Sequence, residues 1–298
     1  MPRKINLEGV IVPLVTPFDD QNRIDLTALR QVVDFVIGKG VHAVMAGGTT
    51  GEGMLLSLEE RKLLLETVVA WTNGRVPVIA HTGCIDTGST VELSRHAWKT
   101  GANIISAIVP YFFTFNDEQL YRHFLTVAES VPDAPVLLYA FPGNAKNDIT
   151  PGLLGRLLKA APNIAGIKSS NDDLQRFQDY VQVGGETFTA CFGVDELMLG
   201  GFVFGSKAQI SGNANSFPEP FVKLYEAYRA GNLALAQKLQ GVVNSIVGIH
   251  HAGSTTAFFK ATLKLRGVSA GRVRPPMREL SPEELEEVKK EGMRCNLL

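Results

Sequence analysis

Short apolar segments rich in β-branched residues alternate with longer amphipathic segments along this chain, and the alternation repeats about eight times. The predicted strands are residues 10–15, 43–46, 76–80, 104–109, 136–140, 164–168, 187–192 and 208–210. Strands separated by helices run parallel and are joined by helical crossovers. Both faces of these strands are apolar, as expected of a sheet that helices cover. The pattern therefore predicts an α/β fold with a parallel sheet.

Two architectures fit eight such units: a closed (β/α)8 TIM barrel and an open, doubly wound sheet. A barrel of this kind typically needs ~250 residues, and the eighth unit ends here near Gly231. No G-x-G-x-x-G motif follows the first strand, where residues 16–20 read TPFDD. The absence of that dinucleotide-binding signature favours the barrel over the open sheet.

The alternation stops after Gly231. Helices without intervening strands are predicted at residues 232–245, 255–266 and 281–292. A flexible, charged tail is the alternative for the last of these segments, but the apolar spacing of Leu280, Leu285 and Val288 favours a helix. The predicted organisation is a barrel of residues 1–230 and a C-terminal three-helix appendage of residues 231–298.

Several helix starts are marked by capping residues. A serine three residues before a glutamate predicts a capping box, and a threonine before a proline predicts an N-cap followed by proline at the first helical position. These signals are Ser57 with Glu60, Ser89 with Glu92, Ser216 with Glu219, and Thr150 with Pro151.

The composition is that of an ordinary globular protein. The chain has 298 residues, of which 45% are hydrophobic and 20% charged, with a formal net charge of -1. This balance predicts neither a nucleic-acid surface nor a polybasic membrane anchor, and no apolar stretch approaches the length of a membrane span. The three cysteines, Cys84, Cys191 and Cys295, are widely spaced. An odd, dispersed set predicts free thiols and a cytoplasmic location, and no signal-type apolar region is seen at the N-terminus.

Lys168 ends the apolar segment 164–168. A lysine at the mouth of a buried strand loses water, which penalises the ammonium form and favours a neutral amine. A neutral amine attacks a ketone to form a Schiff base, which then serves as an electron sink. The alternative is a lysine whose ammonium group simply extends to water.

A glycine-rich loop, GGTTGEG at residues 47–53, follows the second predicted strand. In a barrel of this type the chemistry lies at the C-terminal ends of the strands. The glycines let the backbone approach a ligand, successive N–H groups bind an anion, and two adjacent hydroxyls can hold a carboxylate and pass a proton. A plain turn capped by Thr49 is the alternative.

Tyr139 lies near the end of the fifth predicted strand. A phenol beside an iminium can shuttle the protons that carbinolamine formation and C–C cleavage require. Because neighbouring parallel strands are ~4.8 Å apart, Tyr139 and Lys168 of the sixth strand can reach one pocket. A core tyrosine with a satisfied hydroxyl is the alternative interpretation.

Other chemistries are poorly supported. The six histidines form no HExxH motif, so no metal site is predicted. The G-x-S-x-G motif expected of a serine hydrolase is also absent.

The residues 48–52 (GTTGE), Tyr139 with Pro142, and Gly166-Ile167-Lys168 together resemble the dihydrodipicolinate synthase/N-acetylneuraminate lyase family of class I Schiff-base aldolases. The resemblance extends from about Gly9 to the C-terminal helices. It implies a (β/α)8 barrel with a C-terminal helical segment and a cytoplasmic homotetramer, a dimer of dimers. It also implies a lysine Schiff base with pyruvate or another 2-oxo acid and no separate cofactor.

The resemblance also implies roles for individual residues. Lys168 is the Schiff-base lysine, Tyr139 the proton donor and acceptor, and Thr49 a carboxylate ligand that relays protons. The remaining substrate-binding positions carried over in this way are Gly48, Thr50, Gly193 and Ile210.

Two departures from the family pattern bear on the substrate. Dihydrodipicolinate synthases have an arginine two residues after the proline of the tyrosine motif, whereas this chain has Asn144, and a neutral amide does not replace a bidentate guanidinium. The family's tyrosine pair after the fourth strand, whose second member completes a relay in a neighbouring subunit, reads Tyr111-Phe112 here. Phe112 has no hydroxyl, so that relay is interrupted. Asn144 and Phe112 are therefore candidate specificity residues, and Ser211, in the loop after the eighth predicted strand, is a third.

The first hypothesis is a Schiff-base lyase, an aldolase or dehydratase, that acts on pyruvate or a longer 2-oxo acid. Dihydrodipicolinate synthase proper is the enzymatic alternative. An alternative of another class is a catalytically silent 2-oxo acid binding protein, which the missing hydroxyl at Phe112 motivates.

Overall fold

The computed structural model describes residues 7–249, 255–295 and 297–298. Three of its strands coincide with the predicted ones, and the other five differ by one or two residues at one or both ends. They are β1 (Gly9–Pro13), β2 (Ala43–Ala46), β3 (Val78–His81), β4 (Ile104–Ile108), β5 (Val136–Ala140), β6 (Ile164–Ser169), β7 (Thr189–Phe192) and β8 (Ala208–Ile210).

The strands follow one another in chain order and close into a barrel. The predicted (β/α)8 barrel is therefore confirmed, and the open sheet is excluded. Every residue of these strands is buried, which explains why they are apolar on both faces.

Helices occupy the connections between strands and the C-terminal part of the chain. They are α1 (Leu26–Gly38), α2 (Leu58–Thr72), α3 (Thr87–Thr100), α4 (Asp117–Ser130), α5 (Pro142–Ala145), α6 (Pro151–Ala160), α7 (Leu174–Gly184), α8 (Met198–Val203), α9 (Pro218–Arg229), α10 (Leu233–Ile249), α11 (Thr255–Leu265) and α12 (Pro282–Arg294). Within the described residues, no helix is long and apolar enough to cross a membrane.

Contacts group the residues into two compact units. One unit contains Pro77–Ile210 together with residues 7–9, and the other contains Val10–Val76 and the described residues from Ser211 onward. In the first unit, α3, α6, α7 and α8 pack on strands of the barrel, and α4 packs on α3 and α6. In the second, α9 packs on α10, and α12 contacts both α10 and α11. The three helices predicted after Gly231 are present as α10, α11 and α12, while the division at residue 230 stays a prediction.

The capping signals have mixed outcomes. Ser57 and Glu60 form the predicted capping box at α2, and Thr150 caps α6 with Pro151 behind it. The other two boxes were wrong. At α3 the N-cap is Asp86, whose carboxylate accepts from the backbone of Ser89 at 2.8 Å.

Ser216 does not cap α9, which begins after Phe217. Its hydroxyl instead bonds the carbonyl of Phe259 at 3.0 Å and the hydroxyl of Thr262 at 2.6 Å. A tertiary contact therefore replaced the local cap that the sequence indicates.

Candidate functional site

Lys168 lies one residue from the end of β6 and is only 7% exposed. The register places it beside Tyr139 of β5 on one side and Cys191 of β7 on the other. Lys168 and Tyr139 thus lie on neighbouring strands, as the sequence predicts, and both belong to the first unit. The amine is held in an interior where water is scarce.

The amine sits over the face of the Tyr139 ring. Lys168 Nζ is 4.1 Å from the ring centroid, a distance at which the ring attracts a positive charge. The ring is stacked on Phe141 with centroids 5.8 Å apart, and the edge of His81 approaches at 6.1 Å. The phenol hydroxyl is 3.3 Å from Ser170 Oγ. Tyr139 is 2% exposed, so its position is fixed by packing on several sides.

Cys191 is the other strand neighbour of Lys168. Complete burial raises the pKa of its thiol to about 12, and the nearby Lys168 charge opposes that rise only in part. The thiol is therefore protonated at neutral pH and is no competing nucleophile. Cys191 is a free, buried cysteine, which agrees with the free thiols predicted from the sequence.

Gly193 follows β7 and lies against the lysine. A Cβ built at this position would be 2.5 Å from Ser170 Oγ and 3.1 Å from Lys168 Cε. Space for Lys168 and Ser170 therefore depends on a residue without a side chain at position 193.

The loop of residues 47–53 belongs to the second unit. Gly47 has a φ of 71°, which favours glycine, and a Cβ at Gly53 would lie 2.0 Å from the Gly47 carbonyl oxygen. Thr49 is exposed, Thr50 is half-buried and Gly48 is buried. The fold of this loop is thus set by its glycines, and it presents the Thr49 side chain outward.

Glu52, in the same loop, forms a buried ion pair that sequence reasoning missed. Its Oε1 accepts from Lys260 Nζ of α11 at 2.5 Å, and its Oε2 accepts from the backbone N–H of Arg274 at 2.8 Å. Lys260 also donates to the carbonyls of Thr16 and Arg272, each at 2.6 Å. Burial lowers the pKa of Lys260 to about 8, and the Glu52 charge works against that drop. The available signal was a lysine directly after the apolar residues 257–259.

The other positions taken from the sequence have different surroundings. Ile210 is the last residue of β8 and is 2% exposed. Ser211 is buried, and its hydroxyl accepts from the backbone of Ala214 at 3.2 Å, so it stabilises the turn that follows. Asn144 is exposed on α5, the single helical turn after β5.

Phe112 is 68% exposed and has a φ of 76°, a left-handed conformation unusual for an aromatic residue. Its ring packs edge-on against Phe113, which is 59% exposed, with centroids 5.1 Å apart. Asn147 Nδ2 holds the loop by donating to the carbonyls of Pro110 and Phe113 at 2.8 Å and 2.7 Å.

Among the residues that the structure describes, no group of three or more His, Cys, Asp or Glu side chains is arranged to hold a metal ion. The groups that surround Lys168 are instead aromatic rings, a thiol and a hydroxyl.

A model of the dihydrodipicolinate synthetase family matches residues 6–292. The chain belongs to this family. The 4-hydroxy-tetrahydrodipicolinate synthase of Thermus thermophilus is 37% identical over 298 residues, covering 97% of each protein. The resemblance noted from the motifs is therefore confirmed, as is the predicted lyase class.

Solved structures of family members agree with the fold. The Ruminococcus gnavus sialic acid aldolase, solved as a catalytic lysine mutant, superposes with a TM-score of 0.93 at 30% identity, covering 97% of this chain and 95% of that one. YagE, a prophage protein of this family from E. coli K12 solved in complex with pyruvate, gives a TM-score of 0.95 at 29% identity over 99% and 100% of the two chains.

Proposed function

We propose that this family member is a Schiff-base lyase, an aldolase or dehydratase, that acts on pyruvate or a longer 2-oxo acid through Lys168. The observation that carries the proposal is the buried Lys168 amine, 4.1 Å from the centroid of the Tyr139 ring. The related sialic acid aldolase has a catalytic lysine, and YagE binds pyruvate, which supports this chemistry.

In the proposed reaction the Lys168 amine attacks the C2 carbonyl of the 2-oxo acid, and loss of water gives an iminium. The iminium withdraws electrons from C3, so a C–C bond at C3 is formed or broken, or water is eliminated, through the enamine. Because a ring face attracts positive charge, Tyr139 favours the cationic iminium. Its phenol donates and accepts the protons of these steps. The lysine supplies the electron sink, so the proposal includes no metal or organic cofactor.

The loop of residues 47–53 has the proposed role of binding the substrate carboxylate. Its support is chemical: glycines let a ligand approach the backbone closely, and the adjacent Thr49 and Thr50 hydroxyls can donate to an anion. Thr49, the exposed member, is proposed to relay protons as well. Gly48, Gly193 and Ile210 are the remaining proposed substrate contacts, whereas Asn144, Phe112 and Ser211 are proposed to affect the choice of substrate.

We further propose a cytoplasmic homotetramer, a dimer of dimers. The exposed rings of Phe112 and Phe113 support an association that would remove them from water. Light scattering in solution tests the stoichiometry.

The second candidate function is 4-hydroxy-tetrahydrodipicolinate synthase, favoured by the name of the 37% identical relative from Thermus thermophilus. The exposed amide of Asn144 and the missing hydroxyl at Phe112 oppose it. A coupled assay with pyruvate and aspartate semialdehyde distinguishes the two, since robust turnover would favour the synthase.

The experiment for the first candidate is turnover of a panel of 2-oxo acids by the wild type, Lys168→Ala and the control Lys159→Ala. Lys159 is an exposed lysine of α6. We expect Lys168→Ala to abolish turnover with the fold retained and Lys159→Ala to behave as the wild type. Unimpaired turnover by Lys168→Ala would remove the assignment, and ligand binding without product by the wild type would favour a silent binding protein.

A further inference from the structure

The phenol of Tyr139 has a hydrogen-bonding partner within its own unit. In the described part of the chain, its hydroxyl bonds to Ser170 Oγ at 3.3 Å. The Lys168 amine lies over the ring face and so leaves the hydroxyl to Ser170. The relay tyrosine expected from the family pattern is Phe112 here, which has no hydroxyl and is 68% exposed.

Two observations define the position of Ser170, one for its backbone and one for its hydroxyl. Its backbone N–H donates to the Ala140 carbonyl at 3.0 Å, which continues the β5–β6 pairing beyond the end of β6. Its hydroxyl lies in the space left by the missing side chain of Gly193, where a Cβ would approach to 2.5 Å. Ser170 Oγ therefore occupies the place that a side chain at position 193 would take.

We propose that Ser170 is a positioning residue for the reaction: it orients the Tyr139 phenol for proton exchange with the substrate bound to Lys168. This inference rests on the proposed function. A tyrosine hydroxyl rotates about its C–O bond, and a hydrogen bond to a fixed oxygen selects one orientation. The serine hydroxyl both accepts and donates, so it can serve the phenol in either protonation state.

The adjacent serine provides a matched control. Ser169 is 1% exposed, and its hydroxyl has no hydrogen-bond partner among the described residues. Ser169→Ala and Ser170→Ala remove the same atom from neighbouring positions. Only the second change removes a bond to the phenol.

The test is steady-state kinetics with the best 2-oxo acid substrate, together with borohydride trapping, for Ser169→Ala, Ser170→Ala, Tyr139→Phe and the double variant Tyr139→Phe/Ser170→Ala. We expect Ser170→Ala to lower kcat about ten-fold, the rate equivalent of one lost hydrogen bond, with a smaller effect on KM. Ser169→Ala is expected to match the wild type. In the Tyr139→Phe background, Ser170→Ala should cause no further loss, because it acts through the phenol.

Equal kcat values for Ser169→Ala and Ser170→Ala would overturn the inference. It would also be overturned if Ser170→Ala lowered kcat as much in Tyr139→Phe as it does in the wild type. If either result were found while borohydride still trapped the substrate on Lys168 of the wild type, the proposed function would stay intact. Absence of trapping in the wild type would instead remove the proposed function itself.

Discussion

At the scale of single residues, the proposed chemistry depends on the arrangement of an amine, a phenol and a glycine. Lys168 and Tyr139 are 7% and 2% exposed, and packing rather than hydration sets their relative position. Tyr139→Phe keeps the ring under the amine but removes the proton donor. We expect kcat to fall by ~10²-fold or more, the scale of a lost general acid–base group. Tyr121→Phe, a change on α4, is the control, and near-wild-type kinetics for Tyr139→Phe would contradict the assigned role.

Gly193→Ala tests the space around the amine. The added Cβ would lie 3.1 Å from Lys168 Cε and 2.5 Å from Ser170 Oγ, so the serine hydroxyl must move and the lysine becomes crowded. We expect slower borohydride trapping of pyruvate and a lower kcat, because the added methyl group takes the place of the serine hydroxyl and crowds the lysine. Gly143→Ala, where the nearest heavy atom would be 3.8 Å away, is the control. Equal trapping rates for the two variants would show that position 193 does not constrain the amine.

Part of the site could be predicted at this scale and part could not. Lys168 was recognisable because it ends an apolar strand, and its neighbour Tyr139 followed from chain order in a parallel barrel. Lys260 was not recognised, because its partner Glu52 is 208 positions away and nothing local to α11 reveals a buried carboxylate. Ser170 was missed because the predicted strand stopped at residue 168, before the residue that reaches the phenol.

At the scale of elements, the buried pair of Glu52 and Lys260 joins the loop of residues 47–53 to α11. Loss of one partner leaves the other charge buried and unpaired, which typically costs about 3 kcal/mol or more. We expect Glu52→Leu to lower the free energy of unfolding by this amount in urea titrations. Adding Lys260→Met to Glu52→Leu should lower the free energy of unfolding little further. Glu286→Gln, which breaks the exposed pair with Lys289 on α12, is the control with little or no effect. Strictly additive losses for Glu52→Leu and Lys260→Met would contradict the coupling.

Helix starts show why local signals succeed or fail. Ser57 forms its capping box with Glu60 at α2, whereas Asp86 starts α3 before Ser89 can act. An acidic side chain three residues earlier gave the backbone an equally good cap and added a turn to the helix. The sequence contains both signals at α3, and the helix begins at the earlier one.

At the scale of the whole molecule, the barrel was predictable because eight apolar segments of similar length recur with helices between them. The division into two units was not predictable from the sequence. The described residues after Ser211 group with Val10–Val76, which lies at the other end of the sequence. Such long-range association leaves no periodic trace in the sequence.

Stability of the folded molecule should fall on acidification because of His123. Its Nδ1 bonds Thr87 Oγ1 at 2.9 Å, and burial lowers its pKa from 6.5 to about 4 despite the nearby charge of Asp86. Between these two values the unfolded chain binds a proton that the folded chain does not. The free energy of unfolding therefore decreases as the pH falls through this window, by up to about 1.4 kcal/mol per pH unit. In urea titrations from pH 7 to pH 4.5, His123→Asn should show a shallower decrease than the wild type, and an identical decrease would contradict this account.

The central claim is that the buried amine on β6 captures a keto group, and reductive trapping tests it most directly. The protein is incubated with each member of a panel of 2-oxo acids and borohydride, and the adduct is located by intact mass and peptide mapping. We expect one adduct per chain on Lys168 with at least one acid, and none in Lys168→Ala. An adduct on another lysine, or no adduct with any acid offered, would contradict the account.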